Sequence, residues 1–377
     1  MNLSRRALLS ASAVLVARPT LAFSGSTPAI AKAPTAAEPL VLCWNENPYG
    51  PSPAARIALN GTVSHTCRYP EHEIETLQAA LVAKEGMSAD HIITGSGSGE
   101  LLSALGALVG RDGGEIVAAE PTFLELPEYA KRAGATVKFV AVDAKLCHDL
   151  SAMRAAVGEK TRAVYLCNPN NPTGTTLSAT AIRDFVDSLP DNVTTIVDEA
   201  YLDFADDPAV QSVTDLIGRG KHVVVLRTFS KIHGMAGVRC GYAIAQPDMI
   251  VRMANVRMST PSIFAMRAAI ASLGDHAFLT DTRRRVIASR KRIEGQLDHL
   301  GMPYAKAQGN FVFFDTGMPI GTFQERMLAR HIRVGRRFPP FDNWCRITIG
   351  TEPQVETFLT ALRGIAAESP ESTRKVG

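Results

Sequence analysis

The sequence of 377 residues has little of what marks metal, disulfide or nucleic-acid proteins. Its six cysteines are scattered without a CxxC pair, which argues against a disulfide framework and a cysteine zinc site. The nine histidines show no metal-ligand spacing, so we expect no metal. A net charge of +3 is too small to indicate a nucleic-acid partner.

Long apolar runs are also missing. The run from Ala7 to Ala17 is shorter than the roughly 20 residues of a membrane-spanning helix, so we expect no stable membrane anchor. The run follows the pair Arg5-Arg6 and precedes small residues at Thr20-Leu21-Ala22, a pattern typical of a twin-arginine export signal. We predict a signal peptide at 1–23, a flexible leader at 24–40 and a periplasmic location, or a cytoplasmic one if the signal is not used.

The chain is long enough for two domains and has an ordinary hydrophobic content of 46%. From residue 69, helical patterns alternate with short apolar strands, which predicts an α/β domain with a mainly parallel sheet. The predicted helices here are Glu71–Glu85 and Glu100–Val109, and the predicted strands are His91–Thr94, Glu115–Ala118, Thr136–Ala141, Ala163–Cys167, Thr194–Val197 and His222–Leu226.

The last hundred residues have a different pattern. A long helix is predicted at Asp275–Leu300, followed by two strands and two shorter helices, which indicates a smaller α+β domain. Those later elements are Phe311–Phe314, Thr322–His331, Arg346–Ile349 and Pro353–Ala366. We therefore place an N-terminal segment at 41–68, which packs on the small domain or a partner subunit, the large domain at 69–272 and the small domain at 273–377.

One lysine stands in a setting suited to covalent cofactor chemistry. Lys231 comes soon after the apolar strand that ends at Leu226. Such a lysine is suited to forming a Schiff base with a carbonyl cofactor. Two hydroxyls and an arginine nearby are suited to holding a phosphate; they are Thr228, Ser230 and Arg239. Pyridoxal phosphate (PLP) needs both functions, whereas a turn with a surface lysine is the simpler alternative.

Three further segments fit the same cofactor, although each has a purely structural alternative. Asp198 follows an apolar run and could pair with a protonated pyridine nitrogen, or it could cap a helix. Tyr201 and an asparagine of the turn-rich run Asn168–Gly174 could hydrogen-bond the ring's phenolic oxygen. The run Gly95–Glu100 joins a strand to a helix, and it predicts a phosphate cradle instead of the GxGxxG dinucleotide motif.

All of these residues follow predicted strands. In open α/β sheets, ligands bind beyond the carboxyl ends of the strands, so the residues are expected to lie close together. This clustering supports one shared cofactor site more strongly than any single motif does.

With these motifs in this order, the chain resembles the fold-type I PLP-dependent aminotransferases, and among them the histidinol-phosphate aminotransferases. The resemblance runs from about residue 45 to residue 351, and it implies a mainly parallel seven-stranded sheet, a smaller α+β domain and PLP as cofactor. The motifs that carry it are Asn45–Ser52, Arg68–Pro70, Gly95–Glu100, Glu120–Phe123, Asn168–Gly174, Asp198–Tyr201, Thr228–Tyr242, Gly309–Phe311 and Arg346–Gly350.

The resemblance also implies a role for each cofactor-site residue. Lys231 would bind PLP covalently and move protons, and Asp198 would hold the pyridine nitrogen. Tyr201 and Asn171 would hold the phenolic oxygen, and Phe123 would stack on the ring. The other implied cofactor-binding residues are Ser98, Gly99, Glu100, Thr228, Ser230, Arg239 and Tyr69, the last reaching the cofactor of a neighbouring subunit.

On the substrate side, the resemblance implies that Arg346 holds an acidic group and that Tyr49 lines the pocket of a neighbouring subunit. Asn171 and Arg336 are the further substrate-binding candidates, and no role follows for Arg333 or Arg337. The expected enzyme is a homodimer that transfers an amino group by a ping-pong route from histidinol phosphate or a related amino acid to 2-oxoglutarate. The alternatives are a PLP-dependent oxidase, lyase or decarboxylase acting on a free amino acid, and a non-catalytic binding protein.

Overall fold

The computed structural model describes residues 38–111 and 113–368. The predicted signal at 1–23 and nearly all of the leader at 24–40 lie outside these residues, so export stays a prediction. The described strands are β1 (Leu40–Val41), β2 (Ile92–Gly95), β3 (Glu115–Glu120), β4 (Thr136–Ala141), β5 (Thr161–Cys167), β6 (Thr194–Asp198), β7 (Val223–Thr228), β8 (Gly241–Ile244), β9 (Phe311–Asp315), β10 (Ile332–Arg333) and β11 (Trp344–Thr348). The described helices are α1 (Pro53–Thr62), α2 (Glu71–Glu85), α3 (Ser98–Arg111), α4 (Glu125–Arg132), α5 (Leu150–Ala156), α6 (Ala179–Ser188), α7 (Asp215–Gly218), α8 (Pro247–Ala254), α9 (Ile263–Leu273), α10 (His276–Leu300), α11 (Ile320–Leu328) and α12 (Glu352–Ala367).

Among the described residues, seven strands form the central sheet in the order β2-β8-β7-β6-β5-β3-β4. Strands β7, β6, β5, β3 and β4 are parallel neighbours, whereas β8 runs antiparallel to both β2 and β7. The prediction of a mainly parallel seven-stranded α/β sheet is confirmed. Because β2 runs in the same direction as β7, the ends of β2, β5, β6 and β7 meet at one edge, together with the start of β8.

The inner strands of the sheet are buried on both faces, as their near-continuous apolar sequences require, whereas the edge strand β4 is partly exposed. Alternate residues of β6 and β7, such as Val197 and Val225, face the core formed with α2, α5, α6 and α9. The residues between them, such as Ile196 and Val224, face the core formed with α3, α4 and α8. Because successive side chains of a strand point to opposite faces of the sheet, the same strands contribute to both cores.

A further core surrounds the antiparallel pair of β9 and β11. Phe314 and Ile347 of these strands pack with α10, α11 and α12, in line with the predicted α+β character of the C-terminal region. Leu42 joins this core, and β1 pairs with β10, so the start of the described chain packs against the C-terminal region. The domain boundaries themselves stay a prediction.

Several boundaries differ from the predicted ones for local reasons. Helix α3 begins at Ser98, two residues before the predicted start. The Glu100 carboxylate accepts a hydrogen bond from the Ser96 N–H and so stabilises this earlier start. Helix α11 ends at Leu328, because His331 has a φ of +57°, a left-handed conformation that a helix cannot continue. Helix α1 was not predicted, although the Ser52 side chain caps it by accepting from the Ala55 N–H at 3.2 Å.

In the described ranges, no helix is long and apolar enough to cross a membrane. The same residues contain no group of three or more histidine, cysteine, aspartate or glutamate side chains that could hold a metal ion.

Arg290 of α10 is a buried cation that joins distant parts of the chain. Its guanidinium donates to the carbonyls of Phe204 at 3.2 Å and Gly309 at 3.0 Å, and it pairs with Asp206 at 2.5 Å. Phe204 lies in the segment that follows Tyr201, so Arg290 fixes the position of a predicted site segment relative to α10.

We expect Arg290→Ala to lower the free energy of unfolding by about 3 kcal/mol, because it leaves two buried carbonyls without their donor and removes one of the two cations that pair with Asp206. Denaturant unfolding of the full chain measures this change. The matched control is Arg284→Ala on the same helix, whose exposed pair with Asp281 should contribute almost nothing. Equal losses of stability in the two variants would contradict the expectation.

Candidate active site

The edge of the sheet where β5, β6 and β7 end opens into a cleft of about 250 Å³. Most of the predicted site residues line it, although their roles remain predictions. Those brought together in the cleft are Ser98, Gly99, Phe123, Asn171, Asp198, Tyr201, Thr228, Ser230, Lys231, Arg239, Arg336 and Arg346.

One end of the cleft is suited to a phosphate. Gly97 has a φ of +87°, and a Cβ placed on it would lie 2.3 Å from the Arg239 guanidinium, so the arginine packs directly over the glycine loop. The same guanidinium donates to Ser230 Oγ at 3.4 Å, and Thr228 Oγ1 donates to Ser230 Oγ at 3.0 Å. Helix α3 begins at Ser98 beside them and adds the free N–H groups of a helix N-terminus.

Asp198 lies buried at the end of β6. Its carboxylate accepts hydrogen bonds from the Tyr165 hydroxyl at 3.2 Å and from the Ala200 N–H at 3.1 Å. Burial raises the pKa of Asp198 to about 6, and no lysine, arginine or histidine of the described residues forms an ion pair with it. A buried carboxylate of this kind is suited to a cationic N–H group from a ligand, such as a pyridinium.

Lys231 extends into the middle of the cleft. Its amine donates to the carbonyl oxygens of Asn45 at 3.2 Å and Trp44 at 3.4 Å. Burial, followed by the positive charge of Arg346, lowers the pKa of Lys231 to about 8. A much larger fraction of the amine is therefore neutral near pH 8 than in an exposed lysine, and the neutral amine is the nucleophile.

Tyr201 forms the centre of a hydrogen-bond network beside Lys231, whose amine lies 5.4 Å from the centroid of the Tyr201 ring. Its hydroxyl accepts from the side-chain amides of Asn45 at 3.1 Å and Asn171 at 3.3 Å. Arg346 donates to Asn171 Oδ1 at 2.5 Å and to the Cys43 carbonyl at 2.6 Å, whereas its buried Nε has no partner. The Arg346 guanidinium thus has more N–H donors than the described residues use.

Two guanidinium groups face the same aromatic ring. Arg336 lies 4.3 Å and Arg346 lies 4.9 Å from the centroid of Phe338. In the described part of the chain, neither arginine forms an ion pair with a carboxylate, whereas Arg337 pairs with Asp342 at 2.6 Å on the surface. The structure therefore separates Arg336, which lines the cleft, from Arg337, which does not.

Three predicted site residues lie outside the cleft. The Glu100 carboxylate accepts from the N–H groups of Ser96 at 2.6 Å and Ser259 at 2.8 Å. Tyr69 is 93% exposed, and the Tyr49 ring packs under the Arg285 guanidinium at 5.3 Å.

Other residues of the site were not given a role from the sequence. Asn45 holds Tyr201 and Lys231, Tyr165 holds Asp198, and Phe338 contacts two arginines. Asn45 stands in one of the motifs that carry the resemblance, which was an available signal. Nothing in the local sequence marks Tyr165 or Phe338, because their roles depend on neighbours far away in the chain.

The residues present fit PLP. Asp198 supplies a buried carboxylate for the pyridine nitrogen, Tyr201 and Asn171 supply polar groups for the ring, and Lys231 supplies an amine of lowered pKa. The glycine loop with Arg239 supplies the phosphate end. These groups are the set that a Schiff-base cofactor with one phosphate requires.

Comparison with known proteins agrees with this chemistry. The family model of aminotransferase class I and II matches residues 37–362. The chain belongs to this family. It is therefore a PLP-dependent aminotransferase.

Individual relatives cover most of the aminotransferase chain. It is 37% identical over 332 residues to a histidinol-phosphate aminotransferase of Moorella thermoacetica, which covers 86% of this chain and 85% of the relative. It is 35% identical over 330 residues to an aromatic amino acid aminotransferase of Rhodococcus jostii, with coverages of 87% and 90%. The structure of a histidinol-phosphate aminotransferase from Sinorhizobium meliloti in complex with PLP matches with a TM-score of 0.81 at 26% identity, covering 92% and 98%.

The lowered pKa of Lys231 predicts how cofactor attachment depends on pH. With PLP at saturating concentration, the rate at which it attaches covalently to the apoprotein should rise with pH and level off above about pH 8, because the neutral amine then predominates. The visible absorbance of bound PLP after rapid mixing measures this rate. In Arg346→Gln the plateau should move to higher pH, since the charge that helps to lower the pKa is gone. A wild-type rate that still rises near pH 10, the range of an ordinary lysine, would contradict the expectation.

Proposed function

We propose that this aminotransferase transfers an amino group from histidinol phosphate, or from a related amino acid, to 2-oxoglutarate. The observation that carries the proposal is the pair of guanidinium groups on Phe338, neither of which has a carboxylate partner in the described residues. Unpaired arginines in a cleft are suited to a substrate that brings its own negative charge.

The donor side of the cleft combines aromatic and cationic groups. Phe338 and Trp44 line it with Arg336, so a donor with a planar ring and an anionic group would find a partner for each part. Histidinol phosphate carries an imidazole and a phosphate, and an aromatic amino acid carries a ring and a carboxylate. The relatives named above include enzymes for both kinds of donor.

The acceptor must use the same cleft after the donor product has left. 2-Oxoglutarate has two carboxylates, and Arg346 and Arg336 offer two cations that both contact the ring of Phe338. Arg346 is buried and lines the cleft with Lys231, which favours the carboxylate next to the reacting carbon, whereas Arg336 is exposed and suits the distal group.

Each residue around the cofactor site has a separate role in the reaction. PLP, when bound, supplies the electron sink that stabilises negative charge on the substrate carbon. The negative charge of Asp198 stabilises the protonated, positively charged form of the pyridine nitrogen. Lys231 can take a proton at Nζ from the substrate carbon and return it, since its pKa of about 8 suits a base near neutral pH. Tyr201 and Asn171 orient the ring.

An oxidase, lyase or decarboxylase could use the same lysine and aspartate, because PLP itself carries that chemistry. The family match and the named relatives do not favour this alternative. A requirement for a 2-oxo acid distinguishes the two readings.

The first experiment follows the visible absorbance of bound PLP through both half-reactions. Histidinol phosphate alone should remove the band and 2-oxoglutarate should restore it, with ping-pong kinetics at steady state. A panel of aromatic amino acids tests the other donors. Turnover without any 2-oxo acid would overturn the proposal.

Two neighbouring arginines provide a matched pair of variants. Arg336→Gln should raise KM for histidinol phosphate roughly 10- to 100-fold, since it removes a charge-assisted contact of about 1.5 to 3 kcal/mol. Arg337→Gln should leave KM unchanged, because its guanidinium is tied to Asp342 on the surface. Equal KM values in both variants would remove Arg336 from the substrate site.

We also propose that the enzyme is a homodimer in which Tyr69 completes the site of the neighbouring subunit. Tyr69 is almost fully exposed, and it does not line the cleft of its own subunit. Large apolar side chains are exposed as well on α1, directly after it, and near the glycine loop, where Ser259 contacts Ser96; they are Ile57, Val63 and Met258. Exposed apolar residues of this size are suited to an interface between subunits.

Mixing two inactive variants tests this arrangement. Tyr69→Ala and Lys231→Ala should each be weakly active or inactive as pure dimers. After dissociation and reassembly together, mixed dimers contain one intact site, so activity should recover to about a quarter of the wild-type value. No recovery, or a monomeric mass by light scattering, would contradict the shared site.

A further inference from the structure

Glu125 opens helix α4 and lines the cofactor cleft. A Cβ placed on Gly99 would lie 2.5 Å from its Oε1 and 2.9 Å from its Oε2. A side chain at position 99 would therefore displace the carboxyl group. Because Gly99 has no side chain, the Glu125 carboxyl group can occupy the space beside the first turn of α3.

The carboxyl group of Glu125 has no hydrogen-bond or ion-pair partner in the described part of the chain. Nearby acids are different. Glu100 on α3 accepts from the Ser96 N–H at 2.6 Å, and Glu128 on α4 pairs with Lys131 at 3.3 Å. Glu125 is thus a half-buried acid whose hydrogen-bonding capacity remains for a ligand of the cleft.

The charged groups that face Glu125 come from several elements. Burial raises the pKa of Glu125, and the Arg239 guanidinium lowers it by a smaller amount. The charge of Glu125 in turn contributes to the raised pKa of Asp198. Lys231 and Arg336 are further cations of the same cleft. Glu125 therefore interacts electrostatically with both Arg239, at the phosphate end, and the carboxylate of Asp198.

A bound phosphate would bring negative charge to this place. The start of α3 and Arg239 form the phosphate end of the cleft, and the Glu125 carboxyl lies against the same turn. Two negative groups at close range in a partly desolvated site repel each other strongly. The repulsion disappears if the carboxyl group takes up a proton, and the acid then becomes a donor toward the phosphate oxygens.

We propose that Glu125 is a cofactor-binding residue that donates a hydrogen bond from its protonated carboxyl group to the phosphate of PLP. Binding of PLP therefore takes up a proton at Glu125. Because the acid must be protonated, the affinity for PLP falls as the pH rises above the range in which Glu125 keeps its proton. The phosphate end then comprises a helix N-terminus, one guanidinium and one carboxylic acid.

The test compares full-length wild-type apoprotein with Glu125→Gln, whose amide keeps the shape and a donor but cannot titrate. PLP affinity is measured by fluorescence titration from pH 5 to pH 9, and proton uptake by calorimetry in buffers of different ionisation enthalpy. Relative to the variant, wild-type affinity should fall by about tenfold per pH unit on the alkaline side. The wild type should also take up more protons per PLP bound than the variant does.

Two controls isolate the phosphate and the position. Pyridoxal, which lacks the phosphate, should bind to both proteins with the same pH dependence. Glu128→Gln, on the same helix, should behave like the wild type. A second variant, Gly99→Ala, displaces the carboxyl group without removing it, and it should reduce proton uptake in the same way.

Identical pH dependence and proton uptake in wild type and Glu125→Gln would overturn the proposal. So would an equal effect of the substitution on pyridoxal, which would place Glu125 at the ring. Both measurements concern cofactor binding alone, so their outcome is independent of the amino donor and acceptor proposed above.

Discussion

Asp198 is buried at the carboxyl end of β6, where its carboxylate contacts a tyrosine hydroxyl and a backbone N–H but no cation of the described residues. Leaving a carboxylate in such a place is unfavourable unless a ligand provides the missing positive charge. The surrounding architecture follows from that requirement. Parallel strands flank Asp198 on either side, the Tyr165 hydroxyl donates to its carboxylate, and Asp198 lines the cleft that a pyridine nitrogen would enter.

Around this carboxylate, the remaining groups come from widely separated parts of the sequence. Tyr201 is held by Asn45 from the N-terminal segment and by Asn171 from the turn after β5. Arg346 from β11 then holds Asn171. Because these hydrogen bonds share atoms, loss of one member alters the orientation of the next. The residues proposed for the ring and those proposed for the substrate therefore form one network. A substitution in either group is expected to alter the orientation of the other.

The sequence predicted the residues at strand ends best, and the reason is physical. Lys231, Asp198 and Ser98 follow apolar strands, and parallel strands bring their ends to one edge whatever the details of packing. The antiparallel strand β8 and the helix α1 were not predicted, since short elements depend on tertiary packing more than on local pattern. Glu125 and Tyr165 could not be assigned roles, because their importance arises from Gly99 and Asp198 across the fold.

The long-range pairing between the first and last parts of the fold has a consequence for synthesis of the protein. Strand β1 pairs with β10, and the Asn45 N–H donates to Thr348 Oγ1 across 303 positions of the chain. A nascent chain on the ribosome can form the central sheet and its glycine loop well before residue 348 emerges. It cannot yet fix Asn45, and therefore lacks the contacts of Asn45 with the Tyr201 hydroxyl and the Lys231 amine. The site can therefore hold the cofactor in its final geometry only after the residues up to Thr348 have been translated.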